Sequence, residues 1–217
     1  MGLDGKEFVV ANMQAGTNAP PLHPFCRCST SAKGGILPDV ELRAKALVNE
    51  ASLHEPSVTD TLNSIAEETG TSLKGLENKL KTQESLARKL QDEGVDKPIR
   101  DVLRYTSVSD TENHVETIEN FFAKLQEAGY NRSEVKNYWN VPDNPYNGVN
   151  TNWINPQGYE FEIQFHTRHN LQVKDDMHRV YKEFRQESDI GKRNELTDQM
   201  KEIGDTYIRP PGVDEIE

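Results

Sequence analysis

The hydrophobic positions change their spacing along the chain, and the changes mark out elements. From Leu37 the apolar residues Val40, Leu42, Ala44, Leu47 and Val48 recur at helical spacing with Asp39 as an N-cap. Ser57 and Asp60 open a second helix through Leu62, Ile65 and Ala66, and Gly70 is its stop. A third helix is predicted over Lys79 to Asp92. A fourth follows a Ser109/Glu112 capping box, with Val115, Ile118, Phe122 and Leu125 on one face and Gly129 just past its end. Strand-like runs lie at Val102 to Val108, Val135 to Trp139, Val149 to Ile154 and Tyr159 to Phe165. The last two are joined by Asn155-Pro156-Gln157-Gly158, a hairpin composition. Helices over Lys174 to Glu187 and Lys192 to Gly204 follow. This order predicts an α+β fold, a mixed β-sheet flanked by helices. Residues 1 to 38 carry no sustained period and read as irregular or as a fragment of something larger.

Charge narrows the function. The chain has 217 residues, with 25 Lys and Arg against 36 Asp and Glu, a formal net charge of −11. Such a molecule repels polyanions as a whole, so nucleic-acid contact requires a local basic patch. No run is apolar enough to span a bilayer, and the first ten residues lack the pattern of a secretion signal. Cys26 and Cys28 are too close for an ordinary intrachain disulfide, which points to a reducing compartment. With His23 they could supply three zinc ligands, but no fourth is nearby, and a linker with two thiols explains them equally well.

The strand Tyr159 to Thr167 alternates strictly: Tyr159, Phe161, Ile163 and Phe165 face one way, and Glu160, Glu162, Gln164 and His166 the other. An outer strand with a solvated polar face shows the same alternation. A second carboxylate, Asp101, opens the run Asp101 to Thr106. If the two strands are neighbours, Asp101 and Glu162 can hold Mg²⁺, which takes hard oxygen ligands and leaves positions for substrate phosphates. If they are not, Asp101 is a solvated cap. On the predicted third helix, Lys81, Ser85 and Lys89 recur at intervals of four and Arg88 joins them. With Lys79 they present a hydroxyl among cations, a local anion site suited to a triphosphate or simply a solvated basic face. Turn-formers from Pro142 to Gly148 place Tyr146 on a loop, where its ring either stacks on a nucleobase or anchors the loop.

Two stretches resemble known families. Pro20-Pro21-Leu22-His23-Pro24-Phe25-Cys26-Arg27-Cys28-Ser29-Thr30 resembles the C-terminal motif of phage Mu F-like minor head proteins, whose chains often continue into variable toxin domains. The resemblance implies a carrier remnant over residues 1–36 and a cargo domain over 37–217. From about residue 73 to 185 the order of motifs resembles the synthetase domain of RelA/SpoT-type alarmone synthetases. Lys79-Leu80-Lys81-Thr82-Gln83-Glu84-Ser85-Leu86-Ala87-Arg88-Lys89 is similar to its phosphate-binding segment, with Lys79 in place of an arginine. Asp101 stands for its metal-binding Asp. Lys136-Asn137-Tyr138-Trp139 and Pro145-Tyr146 resemble its Lys-Asp-Tyr-Ile and Gly-Tyr motifs, and Glu162-Ile163-Gln164-Phe165-His166-Thr167 resembles its Glu-x-Gln-x-Arg-Thr strand. His178-Arg179-Val180-Tyr181-Lys182 matches a trailing His-x-x-Tyr-Lys.

The resemblance implies a nucleotidyltransferase-like mixed sheet and an ATP-dependent pyrophosphokinase that transfers the β,γ-pyrophosphate to a ribose 3′-hydroxyl. Lys79, Lys81, Ser85, Arg88 and Lys89 would bind ATP, Asp101 and Glu162 would hold Mg²⁺, and Glu162 would also activate the hydroxyl. Lys136, Tyr146, Gln164 and His166 would bind the acceptor, which is GDP, GTP, ADP, ATP or the 3′-CCA end of tRNA. Asn137, Pro145, Asn150 and His166 depart from the family pattern on the acceptor side. No adjacent His-Asp pair, the mark of the hydrolase half of longer members, occurs in the sequence. With the carrier motif this implies a phage-encoded toxin acting in the bacterial cytoplasm or carried with the virion, with a cognate immunity protein and no membrane partner. A catalytically inactive nucleotide-binding virion module is the alternative; an ADP-ribosyltransferase lacks a convincing Glu-x-Glu pair of its own.

Overall fold

The computed structural model describes residues 36–142, 144 and 146–217. The head-protein-like string, with His23, Cys26 and Cys28, lies outside the described residues, as does Pro145.

The first helix, α1, runs unbroken from Pro38 to Thr69 and contains Pro56, where two separate helices are predicted from the sequence. An interior proline removes one backbone hydrogen bond and costs about 3 kcal/mol. The helix survives because Ala44, Ala51, Val58 and Ile65 recur every seven residues and, with Val40, Leu62 and Ala66, form one buried stripe across the proline. Each large apolar side chain buried there contributes roughly 1.5–3 kcal/mol, which outweighs the lost bond. Gly70 ends the helix in the left-handed conformation (φ 68°), and Thr71 N–H returns to the Ala66 carbonyl at 2.9 Å.

The elements that follow are β1 (Ser72–Lys74), α2 (Gln83–Glu93), β2 (Arg104–Ser109), α3 (His114–Glu127), β3 (Asn131–Asn137), β4 (Val149–Ile154), β5 (Glu160–Thr167), α4 (Arg168–Gln186) and α5 (Ile190–Gly204). The five strands form one mixed sheet in the order β1-β2-β5-β4-β3. Only β2 and β5 run parallel; the other neighbours are antiparallel, and β4 and β5 form the hairpin expected at Asn155 to Gly158.

One face of the sheet carries the core. Tyr105, Trp153, Phe161, Ile163 and Phe165 are fully buried against Ile118, Phe121, Phe122 and Leu125 of α3 and against α1. Their rings meet edge to face, Phe121 and Phe165 at 5.4 Å and Tyr105 and Phe161 at 6.0 Å between centroids. The other face is polar and is covered in part by α4. This helix starts directly at the end of β5, with the Thr167 hydroxyl accepting from Asn170 N–H at 3.2 Å. Its start is therefore six residues earlier than predicted, and α5 packs against it.

Three further elements differ from the sequence reading. The third helix begins at Gln83, not Lys79, because Lys79 to Lys81 pair with the backbone of Val102 to Arg104: Lys81 N–H donates to Val102 O at 2.9 Å and Arg104 N–H to Lys79 O at 2.8 Å. Ser109 closes β2 instead of capping α3, and its hydroxyl meets His114 Nδ1 at 2.7 Å in the interior. β3 covers Asn131–Asn137 and gives way to a 3-10 turn at Tyr138–Asn140, because the Asn137 side chain accepts from Trp139 N–H. The segment from Ile208 to Ile216 straps these pieces together: Asn170 exchanges two hydrogen bonds with Ile208, and Asn137 Nδ2 donates to Val213 O at 2.6 Å.

Candidate active site

The sheet register places the polar side chains in rows. Glu134, Asn152, Glu162 and Arg104 stand opposite one another across β3, β4, β5 and β2, and the next row holds Lys136, Asn150, Gln164, Thr106 and Lys74. The strict alternation of β5 therefore puts Glu162, Gln164 and His166 on one face. That face is not solvated as an outer strand would be: Gln164 and His166 are buried, because α4 and the Tyr146 loop lie over them.

Asp101 lies just ahead of β2. Its carboxylate accepts Lys89 Nζ from α2 at 2.9 Å and Lys81 Nζ at 3.2 Å. Burial pushes the Asp101 carboxyl up, but the two ammonium groups outweigh it and hold the group below its usual range. Glu162 behaves in the opposite way. Burial raises its pKa, and the charge of Asp101 adds to the rise, against the lowering effects of the Gln164 amide, Arg104 and Lys81. Two carboxylates, one of which feels the charge of the other, are thus held apart in acidity, one ionised early and one late.

A hydrogen-bond chain continues from Glu162. Gln164 Nε2 donates to Glu162 Oε1, and Gln164 Oε1 accepts Lys174 Nζ of α4 at 2.8 Å. Beside it, the Tyr146 hydroxyl donates to Asn150 Oδ1 at 2.6 Å and lies 3.1 Å from His166 Nε2. Since the hydroxyl proton goes to Asn150, the phenol oxygen accepts from His166 Nε2–H. The His166 Nδ1 is then an acceptor, and among the described residues it has no partner. Burial, followed by the charges of Lys174 and His114, keeps His166 neutral, and burial holds the Tyr146 phenol well above its usual range.

The expected site residues thus fall into several groups. Lys81, Lys89 and Asp101 form one cluster, and on one face of β5 lie two neighbouring hydrogen-bonded pairs, Glu162 with Gln164 and Tyr146 with His166. Lys81 reaches its place through the backbone pairing with Val102, not along a helical face shared with Ser85 and Lys89. Lys79 is bound to Glu55 of α1 at 2.9 Å. Ser85 and Arg88 are exposed, and Arg88 approaches Glu84 at 3.7 Å. Lys136 stands on the edge strand and pairs with Glu134 at 3.0 Å. Tyr146 is not an exposed stacking platform: its hydroxyl is tied down and its ring meets Tyr138 edge on at 5.0 Å. Arg104, Asn150, Asn152 and Lys174 complete the face. Of these, Lys174 could have been found from the spacing Asn170, Val173, Lys174, Met177, which puts it beside the buried Asn170, Val173 and Met177 of α4.

Between β2 and α4 lies a cleft of about 580 Å³, lined on its walls by Arg104, Thr106, Lys174 and Asp175 and on its rim by Lys74 and Asn78. Its size suits a nucleotide-sized ligand.

No protein-family model matches the chain, and no curated protein matches it in sequence. Its fold is similar to that of solved structures. Small alarmone synthetase 2 from Bacillus subtilis superposes with a TM-score of 0.59 at 18% identity, over 74% of this chain and 90% of that one. A GTP pyrophosphokinase family protein from Streptococcus pneumoniae superposes at 0.50 and 10% identity, over 78% and 90%. The type VI effector Tas1, solved in complex with its immunity protein, is matched at 0.46 and 17% identity, too loose a likeness to argue from. The mixed sheet with flanking helices is therefore the synthetase-type fold.

Proposed function

We propose that this chain is a pyrophosphokinase that transfers the β,γ-pyrophosphate of ATP to the 3′-hydroxyl of a guanine or adenine nucleotide. The observation that carries this reading is the pairing of β2 with β5, which brings Glu162, a half-buried carboxylate of raised pKa, close enough to the Lys81–Asp101–Lys89 cluster to feel the charges of Asp101 and Lys81. The fold it shares with small alarmone synthetases and the motif order from residue 73 to 185 support the same reading.

In the proposed reaction the 3′-oxygen attacks the β-phosphorus of ATP. The bond from the β-phosphorus to the oxygen bridging the α- and β-phosphates breaks, AMP leaves, and the hydroxyl proton passes to Glu162. A base with a pKa raised toward the working pH suits this transfer. Lys81 and Lys89, with Ser85, Arg88 and Lys79 nearby, would hold the triphosphate, since phosphoryl-type transfer is mostly positioning and electrostatics. Lys136, Tyr146, Gln164 and His166 would bound the acceptor.

Among the described residues no three His, Cys, Asp or Glu side chains gather around a metal position. Mg²⁺ needs fewer, one or two carboxylates with phosphates completing its shell. Asp101 and Glu162 fit that demand: both are hard oxygen donors, and the charge of one raises the pKa of the other, a repulsion that a divalent cation relieves. The ion would neutralise charge that builds on the phosphates.

The carrier-like motif at residues 20–30 supports a phage-encoded toxin whose cargo spans 37–217, countered by an immunity protein and acting in the bacterial cytoplasm. Among the described residues no helix is long and apolar enough to cross a membrane. The deciding experiment incubates the protein and its Glu162→Gln variant with γ-labelled ATP, Mg²⁺ and, separately, GDP, GTP, ADP and tRNA. Label moving to an acceptor only with the unmutated protein supports the reading and names the substrate; transfer by Glu162→Gln, or none to any acceptor, overturns it.

A further inference from the structure

The cations that the sequence singles out are largely satisfied within the protein. Lys81 and Lys89 share Asp101, Lys79 is paired with Glu55, Arg88 approaches Glu84, and Lys136 is paired with Glu134. The cleft between β2 and α4 is different. Among the described residues Lys74, Arg104, Arg168 and Lys174 line it against Glu77 and Asp175. Arg168 is bound to Asp110, but among the described residues neither Arg104 nor Lys174 has a carboxylate oxygen within ion-pair distance.

Lys174 is the unusual member. Its side chain is half-buried and its ammonium group donates to a neutral acceptor, Gln164 Oε1 at 2.8 Å. It also lies 6.0 Å from the centroid of the Tyr146 ring. An ammonium has three N–H donors, so two remain for something else, and a partly buried cation whose nearby carboxylates, Asp175 and Glu162, act on it only from beyond ion-pair distance gains from an anion that reaches it. The Thr106 hydroxyl and the Arg104 guanidinium border the same space.

We propose that Lys174 is a phosphate-binding residue, which with Arg104 forms a cationic seat in the cleft for a phosphate of the bound nucleotide. That the phosphate belongs to a nucleotide rests on the function proposed above; that the seat takes a phosphate does not. The same chemistry fits a phosphate of the donor or of the acceptor. Burial, reinforced by the positive charge of Arg104 and opposed by the charges of Asp175 and Glu162, lowers the Lys174 pKa to about 8, and a bound phosphate would restore it.

The first test is calorimetric titration of the whole protein with inorganic triphosphate. Binding should weaken tenfold or more in Lys174→Met and recover most of its strength in Lys174→Arg. The second uses unmutated protein and so needs no variant to fold: Lys174, partly neutral near pH 8, should acetylate readily in a mass-spectrometric labelling experiment, and triphosphate should slow that reaction fivefold or more. Where turnover is measurable, a rise in KM for ATP alone in Lys174→Met assigns the seat to the donor, and a rise for the acceptor alone assigns it to the acceptor. Unchanged triphosphate affinity in Lys174→Met, or labelling at Lys174 indifferent to triphosphate, overturns the proposal whatever the labelled-ATP assay gives. Triphosphate binding that depends on Lys174 in a protein that transfers no label leaves the seat standing and removes the pyrophosphokinase reading.

Discussion

Arg104 stands directly opposite Glu162 in the parallel register of β2 and β5, so a fixed guanidinium charge faces the half-buried carboxylate proposed as the base. Burial raises the carboxyl and Arg104 restrains the rise. The pH profile of kcat/KM should therefore show an acid limb above the ordinary carboxylate value of about 4.3. In Arg104→Met the limb should move further up. In Glu162→Gln the rate should fall by about 100-fold or more, with no such limb. A limb that stays put in Arg104→Met would sink this account of Glu162.

The same shift predicts a stability effect of opposite sense to the loss of activity. A carboxyl whose folded pKa is raised favours folding most below its unfolded pKa, and that contribution is lost as the pH rises through the folded value. At pH 7.5 the buried charge of Glu162 is a burden, so Glu162→Gln should raise the melting temperature by about 2 °C. The gain should shrink toward nothing as the pH falls to 4. Scanning calorimetry at both pH values checks it, and a lower melting temperature at pH 7.5 would contradict it.

Asp101 has the reverse sign. Its folded pKa is depressed by Lys81 and Lys89, so the stability it contributes is present above the unfolded carboxylate value and is lost as the pH falls through the lower folded one. Asp101→Asn leaves two half-buried lysines facing each other without their shared partner and should cost about 2 kcal/mol at pH 7. The difference from unmutated protein in urea unfolding should narrow as the pH drops below 4.

His114 adds a second acid sensitivity, from the interior at the end of β2. Burial lowers its pKa to about 4 while its ring accepts or donates to Ser109 in the interior. The unfolded chain protonates this imidazole near 6.5, so stability present above that value should fall as the pH drops from 6.5 toward 4. His114→Gln should flatten that part of the melting-temperature profile. An equally steep profile in the variant would assign the sensitivity elsewhere.

Gly148 tests the packing of the Tyr146 loop. A Cβ at this position would lie 2.5 Å from His166 Cε1 and 2.9 Å from the Tyr146 hydroxyl, and His166 is fully buried and has nowhere to go. Gly148→Ala should destabilise the fold by about 1–3 kcal/mol. It should also break the Tyr146–His166 contact, which an NMR shift of the His166 ring would report. A variant as stable as the parent would show that the loop is free to move.

How much of this was legible in the sequence depended on whether local pattern or distant packing decided each residue. The alternation of Phe161, Ile163 and Phe165 with Glu162, Gln164 and His166 is a local property, and β5 follows it. The β4–β5 hairpin and the stop at Gly70 are local in the same sense. Pro56 misled because its local cost is overridden by a buried stripe contributed by residues on both sides of it. Lys79 to Lys81 misled because helical spacing continued through them while a backbone partner from Val102 to Arg104 was invisible in sequence. Lys174 is legible as part of a helical face, but the Gln164 amide and the Arg104 side chain beside it come from β5 and β2, which the local spacing of α4 does not show.

The parallel pairing of β2 and β5 also has a consequence for the order of folding. β3, β4 and β5 are consecutive antiparallel neighbours and can close by short loops, whereas β2 must find β5 across α3 and the whole β3–β4 meander, a long-range closure that is entropically late. Asp101 and Arg104 come with β2, and Glu162 comes with β5. A chain that has made its local hairpins but has not completed this closure therefore keeps Glu162 apart from Arg104 and from the Lys81–Asp101–Lys89 cluster and has none of the proposed chemistry, so activity regained during refolding should lag behind the recovery of secondary structure.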